Sequence, residues 1–204
     1  MPDRSTPPTL APSQADLRVR RTRRLLTQAL VDLSADRALE TITVRDLTER
    51  AQVGYATFFR HYASIEELLR GIVDDLYAEL SGVLPSLAGA QPEEAGTLVF
   101  RHVQEHPGHY RLLLHADRSL GLLDTVVEVG TQGLFGAYEA RPHALVPLDV
   151  AADHFIRSFL NLIEWWLGHD MPYAPERMGD IYRELVLRPV EAVALRPRTP
   201  HGPD

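Results

Sequence analysis

The chain has 204 residues, of which 45% are hydrophobic, enough for one compact unit or for a small domain joined to a larger one. It contains no cysteine, which excludes a disulfide framework and a cysteine-ligated metal site. No run of about 18 apolar residues is present, and the proline-rich start lacks the apolar core of a signal peptide. We therefore expect no membrane segment and a cytoplasmic protein.

The net charge of −7 is unevenly distributed along the chain. Residues 1–70 contain 11 arginines and 9 acidic residues, a net charge of +2, whereas residues 71–204 carry a net charge of −9. All 21 basic residues are arginine. A basic amino-terminal part joined to an acidic remainder would orient the protein with its basic part toward a polyanion. The same distribution also fits an ordinary solvated surface.

Apolar periodicity predicts an all-α fold of about nine helices, with no convincing strand pattern. Residues 1–15 and 196–204 are rich in Pro, Ser, Thr and Gly, and we expect a disordered arm and a disordered tail. Between them, residues 16–63 are predicted to form a small helical domain and residues 64–195 a larger one. Residues 64–84 would be a long connecting helix.

The small domain is predicted to contain three helices. The first runs from about Asp16 to Asp36, and the second begins after Thr43, a good N-cap residue. Asp46 lies three residues after this cap, and Ile42 and Leu47 occupy the positions of a hydrophobic staple. A short turn then leads through Gly54, which relaxes the backbone at the corner, into a third helix of about Tyr55–Tyr62.

Further helices are predicted in the larger domain, with prolines marking the breaks between them. Their approximate ranges are Glu93–Glu105, Gly108–Ala116, Ser119–Arg141, Pro147–His169 and Pro175–Leu195. Pro189 falls inside the last range, so this helix should kink or stop near Leu187.

The order of residues in the small domain resembles the amino-terminal domain of the tetracycline-repressor (TetR) family. The resemblance covers about fifty residues with few gaps, from Arg24 to Leu69, and is carried by Thr41-Ile42-Thr43-Val44-Arg45-Asp46-Leu47 and by Ala51-Gln52-Val53-Gly54-Tyr55-Ala56-Thr57-Phe58-Phe59-Arg60-His61-Tyr62. It implies a helix-turn-helix, in which helix three enters the major groove and helix two crosses the DNA backbone.

The resemblance also assigns residues to the DNA. Thr43 would cap helix two and give its hydroxyl to a phosphate, and Arg45 would read guanine in the major groove. Phe58 and Tyr62 would instead be core residues. The complete DNA-binding set implied is Thr43, Arg45, Gly54, Tyr55, Ala56, Thr57, Phe59, Arg60 and His61.

Three positions depart from the family pattern. Gln52 stands where glycine is usual, which predicts slight strain in the turn. Phe59 replaces the usual tyrosine, and Ile65 replaces the usual lysine, so two backbone contacts are lost. Arginines that precede or open helix one are expected to compensate from the flank; they are Arg18, Arg20, Arg21, Arg23 and Arg24.

The resemblance further implies that the larger domain dimerises and encloses a small effector. Aromatic residues with a few polar tips make a usable pocket, and the candidates are Phe100, His102, Tyr110, Leu113, Phe135, Phe159 and Trp165. For each of them a purely structural role remains open. The helix around Ala151–Leu167 is apolar nearly all round, which predicts burial between a core and a partner subunit, or an internal core. The dimer candidates are Phe155, Leu162, Trp166, Ile181, Tyr182 and Leu185.

The function implied is that of a transcriptional regulator, a ligand-responsive repressor that binds a palindromic operator of double-stranded DNA as a homodimer. An unknown small effector would tilt the helix from Ser64 to about Leu80 and weaken the complex. The alternative is a protein-interaction module of the same fold that acts through a protein partner.

A metal site and an enzyme activity are not expected. His102, His106 and His109 have helical spacing and suit zinc in principle, but Pro107 interrupts the helix between them and no acidic ligand is evident. No catalytic cysteine, nucleophile elbow or phosphate-binding glycine loop is present, so neither a cofactor nor an enzyme is predicted.

Overall fold

The computed structural model describes residues 14–83, 92–120, 127, 131, 134–136 and 138–198. Within these residues there are nine α-helices and one small antiparallel sheet of two strands. The chain divides into two compact units, the first ending at Leu68 and the second beginning at Leu69. None of the described helices is both long and apolar enough to cross a membrane. The prediction of a predominantly helical fold is confirmed.

The first unit contains α1 (Gln14–Asp36), α2 (Val44–Ala51), α3 (Tyr55–Phe59) and the start of α4 (Ile65–Val83), with a 3₁₀ turn, Leu39–Thr41, before α2. Its buried apolar residues are Leu26, Ala29, Leu30, Ile42, Leu47, Ala51, Phe58, Tyr62 and Leu68. An ion pair of 2.8 Å between Arg50 of α2 and Asp32 of α1 also joins the two helices. The three-helix arrangement predicted for this part of the chain is therefore present.

The start of α2 has the predicted capping box. The Thr43 hydroxyl accepts the Asp46 N–H at 3.2 Å, and the Asp46 carboxylate accepts the Thr43 N–H at 2.8 Å. These bonds satisfy backbone donors that have no partner within the helix. Ile42 and Leu47, the predicted staple residues, are both buried.

The turn between α2 and α3 contains the one strained backbone position of this motif. Gln52 ends α2 in the left-handed region, with φ 53° and ψ 43°, at the position where the family usually has glycine. Gly54, in contrast, has φ −64° and ψ 140°, which any residue can adopt. The interpretation of Gly54 as the residue that relaxes the corner is therefore wrong, and the strain lies two residues earlier.

Helix α3 is shorter than predicted. It ends at Phe59, where the Phe58 carbonyl accepts a tighter three-residue turn bond from the His61 N–H at 2.8 Å in addition to the four-residue bond from the Tyr62 N–H at 2.9 Å. Tyr62 is buried and lies outside the helix.

The second unit contains the rest of α4 together with α5 (Pro92–Glu105), α6 (Pro107–Leu120), α7 (Leu148–Gly168), α8 (Pro175–Tyr182) and α9 (Arg188–Val193). Helices α5 and α8 pack closely because glycines lie at their contact. A Cβ atom on Gly179 would come within 2.0 Å of the Thr97 hydroxyl, and one on Gly96 within 2.2 Å of the Tyr182 ring. Larger residues would force these two helices apart.

The last predicted helix is interrupted as Pro189 requires. Helix α8 ends at Tyr182, a π-helical stretch occupies Arg183–Leu187, and α9 begins at Arg188. Pro189 has no N–H to donate to the carbonyl four residues earlier, and the wider π turn accommodates the missing bond. The predicted interruption at Leu187 thus takes the form of a change of helix type, with the backbone in the helical region throughout.

Two further predictions are wrong near the sheet. Strand β1 (Tyr138–Ala140) pairs antiparallel with strand β2 (Leu195–Pro197), with Glu139 opposite Arg196. The helix predicted over Ser119–Arg141 therefore does not extend through its last residues; most of the remainder lies outside the described residues. Arg196, predicted to begin the disordered tail, instead lies in β2 and forms a 2.7 Å ion pair with Glu139.

Helix α7 is not apolar on every side, contrary to the prediction. Its exposed residues include Asp149, Val150, Asp153, His154, Arg157, Asn161, Glu164 and Trp165. The opposite side of the helix joins the core of the second unit through Ala152, Phe155, Ile163 and Trp166. Helix α7 therefore has one face in the core and one face at the surface.

Candidate nucleic-acid interface and effector region

The short helix α3 presents an exposed aromatic face. Tyr55 is 58% exposed and Phe59 is 47% exposed, and their rings meet edge to face at a centroid distance of 5.1 Å. Ala56 is exposed on the same helix. Phe58, in contrast, is completely buried and anchors the helix, as predicted. The fold thus uses one aromatic side chain of α3 for its core and leaves two at the surface.

Arg45 lies on the neighbouring helix at the edge of the same surface. Its side chain is largely exposed, and Nε donates to the Glu49 carboxylate at 2.9 Å, which raises the pKa of Arg45. Arg45 and Tyr55 both line an open depression between α2 and α3, together with Glu49 and Gln52. The structure therefore brings together an arginine and an aromatic residue that the sequence assigned to DNA. Before the Arg45 Nε can contact a base it must leave Glu49.

The hydroxyl of Thr43 is already engaged at this end of α2. It donates to the Asp46 carboxylate at 2.7 Å, and Arg37 lies 2.9 Å from the same carboxylate. The hydrogen bonds from Thr43, more than the charge of Arg37, lower the pKa of Asp46 to about 2. The predicted capping role of Thr43 is confirmed, whereas a phosphate would have to compete with Asp46 for its hydroxyl hydrogen.

The remaining predicted residues lie around α3. Gly54 is the N-cap of this helix and is exposed, and a Cβ there would meet only the Thr57 hydroxyl, at an ordinary 3.5 Å. Thr57 accepts a hydrogen bond of 2.7 Å from Arg60. His61 is partly buried, and burial, followed by the charges of Arg23 and Arg60, lowers its pKa.

The flanking arginines lie on α1. All five residues named for this role, Arg18, Arg20, Arg21, Arg23 and Arg24, are exposed. The Arg23 guanidinium also lies over the Tyr62 ring, 5.7 Å from its centroid, at the distance of a cation–π contact. The first unit therefore combines exposed cations on α1 with the exposed face of α3.

The residues predicted to line an effector pocket fall into separate groups. Phe100 is completely buried and contacts Phe159 and Trp166 edge to face, at 5.6 and 5.2 Å between centroids. Phe135 is partly buried against this core, and Leu113 is also partly buried. Trp165 is 42% exposed and stacks on His169 at 4.5 Å, apart from the buried group around Phe100, so its assignment to the pocket stays a prediction.

His102 and Tyr110 form a polar group with a partner that the sequence analysis missed. His102 is buried, and its Nδ1 lies 2.9 Å from the Tyr110 hydroxyl. Glu79 of α4 lies 3.4 Å from the Nε2 atoms of both His102 and His106. Burial, followed by the charge of His106, lowers the pKa of His102, and burial raises the pKa of Tyr110. The interpretation that no acidic residue accompanies these histidines is therefore wrong.

Three of the six predicted dimer residues are buried within a single chain. Phe155, Trp166 and Tyr182 belong to the core of the second unit, and the Trp166 indole N–H donates to the Tyr173 carbonyl at 2.9 Å. They therefore do not provide exposed interface area. Leu162 and Ile181 are partly buried against that core, and Leu185 is 68% exposed.

The chain is similar to bacterial transcriptional regulators. Residues 26–72 match the family described as "Bacterial regulatory proteins, tetR family". An uncharacterized HTH-type transcriptional regulator of Bacillus subtilis, YxbF, is 40% identical over 68 residues, but the match covers only 33% of this chain and 18% of that protein. The HTH-type transcriptional repressor KstR2 of Mycobacterium tuberculosis is 25% identical over 184 residues, which cover 79% of this chain and 89% of the relative.

The likeness extends to the whole fold. The structure of a TetR transcriptional regulator from Streptococcus agalactiae superimposes with a TM-score of 0.64 at 23% identity, over 84% of this chain and 97% of the other. The helix-turn-helix geometry, the matched residues 26–72 and this shared architecture agree. Residues 26–72 therefore form a helix-turn-helix similar to that of the TetR family, and the chain shares the fold of a TetR transcriptional regulator.

Proposed function

We propose that the protein is a ligand-responsive repressor that binds a palindromic operator as a homodimer. The observation that carries the proposal is the exposed face of α3, where Tyr55 and Phe59 are roughly half exposed although Phe58 beside them is completely buried. The two rings are in contact and form one continuous exposed patch, which is typical of an interaction surface. In a helix-turn-helix, that surface enters the major groove.

Charge and backbone shape support the same assignment. Arg45 lines the same depression as Tyr55, and once its guanidinium leaves Glu49 it would read guanine. A Cβ atom at Gly54 would make only an ordinary contact inside the domain, so the fold itself does not require a glycine there. The missing side chain would instead let the DNA come close to the backbone of α3. The arginines of α1 would supply phosphate contacts that Phe59 and Ile65 do not, and KstR2, similar along most of its length, is a repressor. Such a regulator would act in the cytoplasm, where the bacterial chromosome lies.

We assign the dimer contact to α7, the end of α8 and the segment that follows it. Leu185, Leu162 and Ile181 would contribute apolar area, while Phe155 and Trp166 would support this surface from the core. A two-fold dimer would place its two α3 helices in successive major grooves, about 34–36 Å apart. The effector region is assigned to the group around His102 and Tyr110.

Selection of bound sequences from random duplex DNA by the full-length protein tests the DNA-binding proposal. We expect enrichment of one palindromic site, and the variants Arg45→Ala and Tyr55→Ala should weaken it by about tenfold each. Arg101→Ala and Tyr173→Ala are matched controls, because they remove an exposed arginine and an exposed tyrosine from the second unit.

The salt dependence of binding separates this function from a protein-interaction module. A dimer that neutralises six phosphates should lose about a thousandfold in affinity between 50 and 200 mM salt. Absence of any enriched site at low salt, from a folded dimer, would contradict the proposal and direct the search to a protein partner.

The oligomeric state has its own test. Leu185→Asp should convert the dimer to a monomer in sedimentation equilibrium without unfolding it, because the side chain is 68% exposed within one chain. Leu145→Asp, at an 83% exposed leucine outside the assigned surface, is the control and should remain dimeric. A dimeric Leu185→Asp protein would exclude Leu185 from the interface.

A further inference from the structure

We propose that Glu79, His102 and His106 bind one divalent transition-metal ion, with Zn²⁺ the best match. The three side chains come from α4, from the last turn of α5 and from the residue that follows it. Their candidate ligand atoms, one carboxylate oxygen and two imidazole nitrogens, all lie within 4.8 Å of one another.

The distances fit a tetrahedral zinc site. With bonds of about 2.0–2.1 Å, two neighbouring ligand atoms on tetrahedral zinc are separated by about 3.3–3.4 Å. The Glu79 Oε2 atom is 3.4 Å from His102 Nε2 and 3.4 Å from His106 Nε2. Two of the three edges therefore already have the required length, and the third is at most 4.8 Å. A small rotation of one imidazole ring completes the arrangement.

Pro107 does not separate the two histidines. The His106 N–H donates to the His102 carbonyl at 3.1 Å, so the helical turn that carries both side chains is complete before α6 begins. Residues four apart on such a turn lie on the same side of the helix. Pro107 is the first residue of α6, a position that proline tolerates well.

A second hydrogen bond orients the buried ligand. His102 Nδ1 lies 2.9 Å from the Tyr110 hydroxyl, and this oxygen can accept the Nδ1 hydrogen. The lone pair is then on Nε2, the nitrogen that faces Glu79 and His106. Histidine ligands in metal sites commonly have such a partner on the other ring nitrogen. Tyr110 thus serves as a positioning residue for the site.

Solvent reaches the site from one side. The Glu79 side chain is 56% exposed and that of His106 is 33% exposed, whereas that of His102 is only 6% exposed. An ion can enter past the first two residues and meet the buried nitrogen. Three protein ligands leave a fourth position for water or for a small molecule with a metal-binding group. His109, whose ring lies 5.7 Å from that of His106, is outside the set of ligand atoms.

Zinc binding by tag-free full-length protein, measured by titration calorimetry with ZnCl₂, tests the site. We expect one ion per chain, with affinity reduced by about a hundredfold in Glu79→Gln and in His106→Gln. His115→Gln removes an exposed histidine from α6 and should bind zinc like the unmodified protein. Tyr110→Phe keeps all three ligands and should weaken binding by about tenfold.

Cobalt provides a readout of geometry. Co²⁺ in place of zinc should give the intense visible absorption of a tetrahedral site, and this absorption should be lost in Glu79→Gln. Absence of saturable zinc binding, or unchanged binding in both Glu79→Gln and His106→Gln, would overturn the proposal. Because Glu79 and His106 are partly exposed, thermal melts of these variants should show folded protein.

A regulatory role of the metal rests on the proposed function and is measured separately. Glu79 lies on α4, the helix that starts directly after the helix-turn-helix, so zinc should change operator affinity if the ion is part of the effector. Zinc binding without an effect on operator affinity would overturn the regulatory role and leave the metal site intact. Failure to bind any DNA would contradict the proposed function and would leave the proposal of a zinc site untouched.

Discussion

Replacing Gln52 with glycine should stabilise the first unit by about 0.5–1 kcal/mol. Gln52 has φ 53° and ψ 43°, and a residue with a Cβ pays about 1–2 kcal/mol for this left-handed conformation. Glycine adopts this conformation without strain, but its greater conformational freedom in the unfolded chain lowers the stability by about 0.4–1 kcal/mol. The Gln52 side chain is exposed, so its removal sacrifices little packing. The difference between these costs gives the expected gain.

Hydrogen exchange of the α2 amides in the full-length protein measures this gain. Both tryptophans belong to the second unit, so their fluorescence does not report on α2. The matched control is Gln52→Ala, which shortens the side chain and keeps the strained backbone. The glycine variant should exchange more slowly than the alanine variant. Equal protection in the two variants would refute the argument that backbone strain, and not the side chain, determines stability here.

The remaining predictions concern charge and packing. Glu49→Gln should change the free energy of unfolding by no more than about 0.5 kcal/mol, because exposed ion pairs contribute little. The same variant should raise operator affinity several-fold, because it frees Arg45. Lower affinity would contradict this role of Arg45. Asp46→Asn should lower stability at pH 7. The pKa of Asp46 is about 2 in the folded protein and about 3.9 in the unfolded chain. The difference in free energy of unfolding between the unmodified protein and Asp46→Asn, measured by urea titration, should therefore shrink as the pH falls from about 4 to 2. A difference that stays constant over this range would contradict the stabilising role of the Asp46 carboxylate. Gly179→Ala should cost about 1–3 kcal/mol in urea unfolding, whereas Gly168→Ala, with open space around it, should cost nothing.

Local signals predicted the first unit well because its structure depends on neighbours in the chain. The bonds between Thr43 and Asp46 join residues three apart, and Ile42 and Leu47 are five apart. Such patterns can be recognised in any short window of sequence. The same holds for the core position of Phe58, although the end of α3 was misplaced by three residues.

Apolar composition did not determine which side of a helix in the second unit faces the core. Trp165 and Trp166 are adjacent and chemically identical, yet Trp166 is completely buried and Trp165 is 42% exposed. Successive residues on a helix are rotated by about 100°, and only the neighbouring helices decide which direction is inside. The interface role predicted for Trp166 is therefore not one of exposed contact area, and the pocket role of Trp165 stays a prediction.

Pairings between distant residues were decided only by the tertiary structure. Strands β1 and β2 have three residues each, too few to show an alternating pattern, and they form because the chain brings them side by side. Glu79 meets His102 and His106 across more than twenty residues of sequence. The sequence by itself determined the helix-turn-helix, the cap of its second helix and the resemblance to the TetR family, since these depend on local spacing. The fold of the second unit determined the arrangement of Glu79 with the two histidines, because no local pattern links a carboxylate on one helix to imidazoles on another.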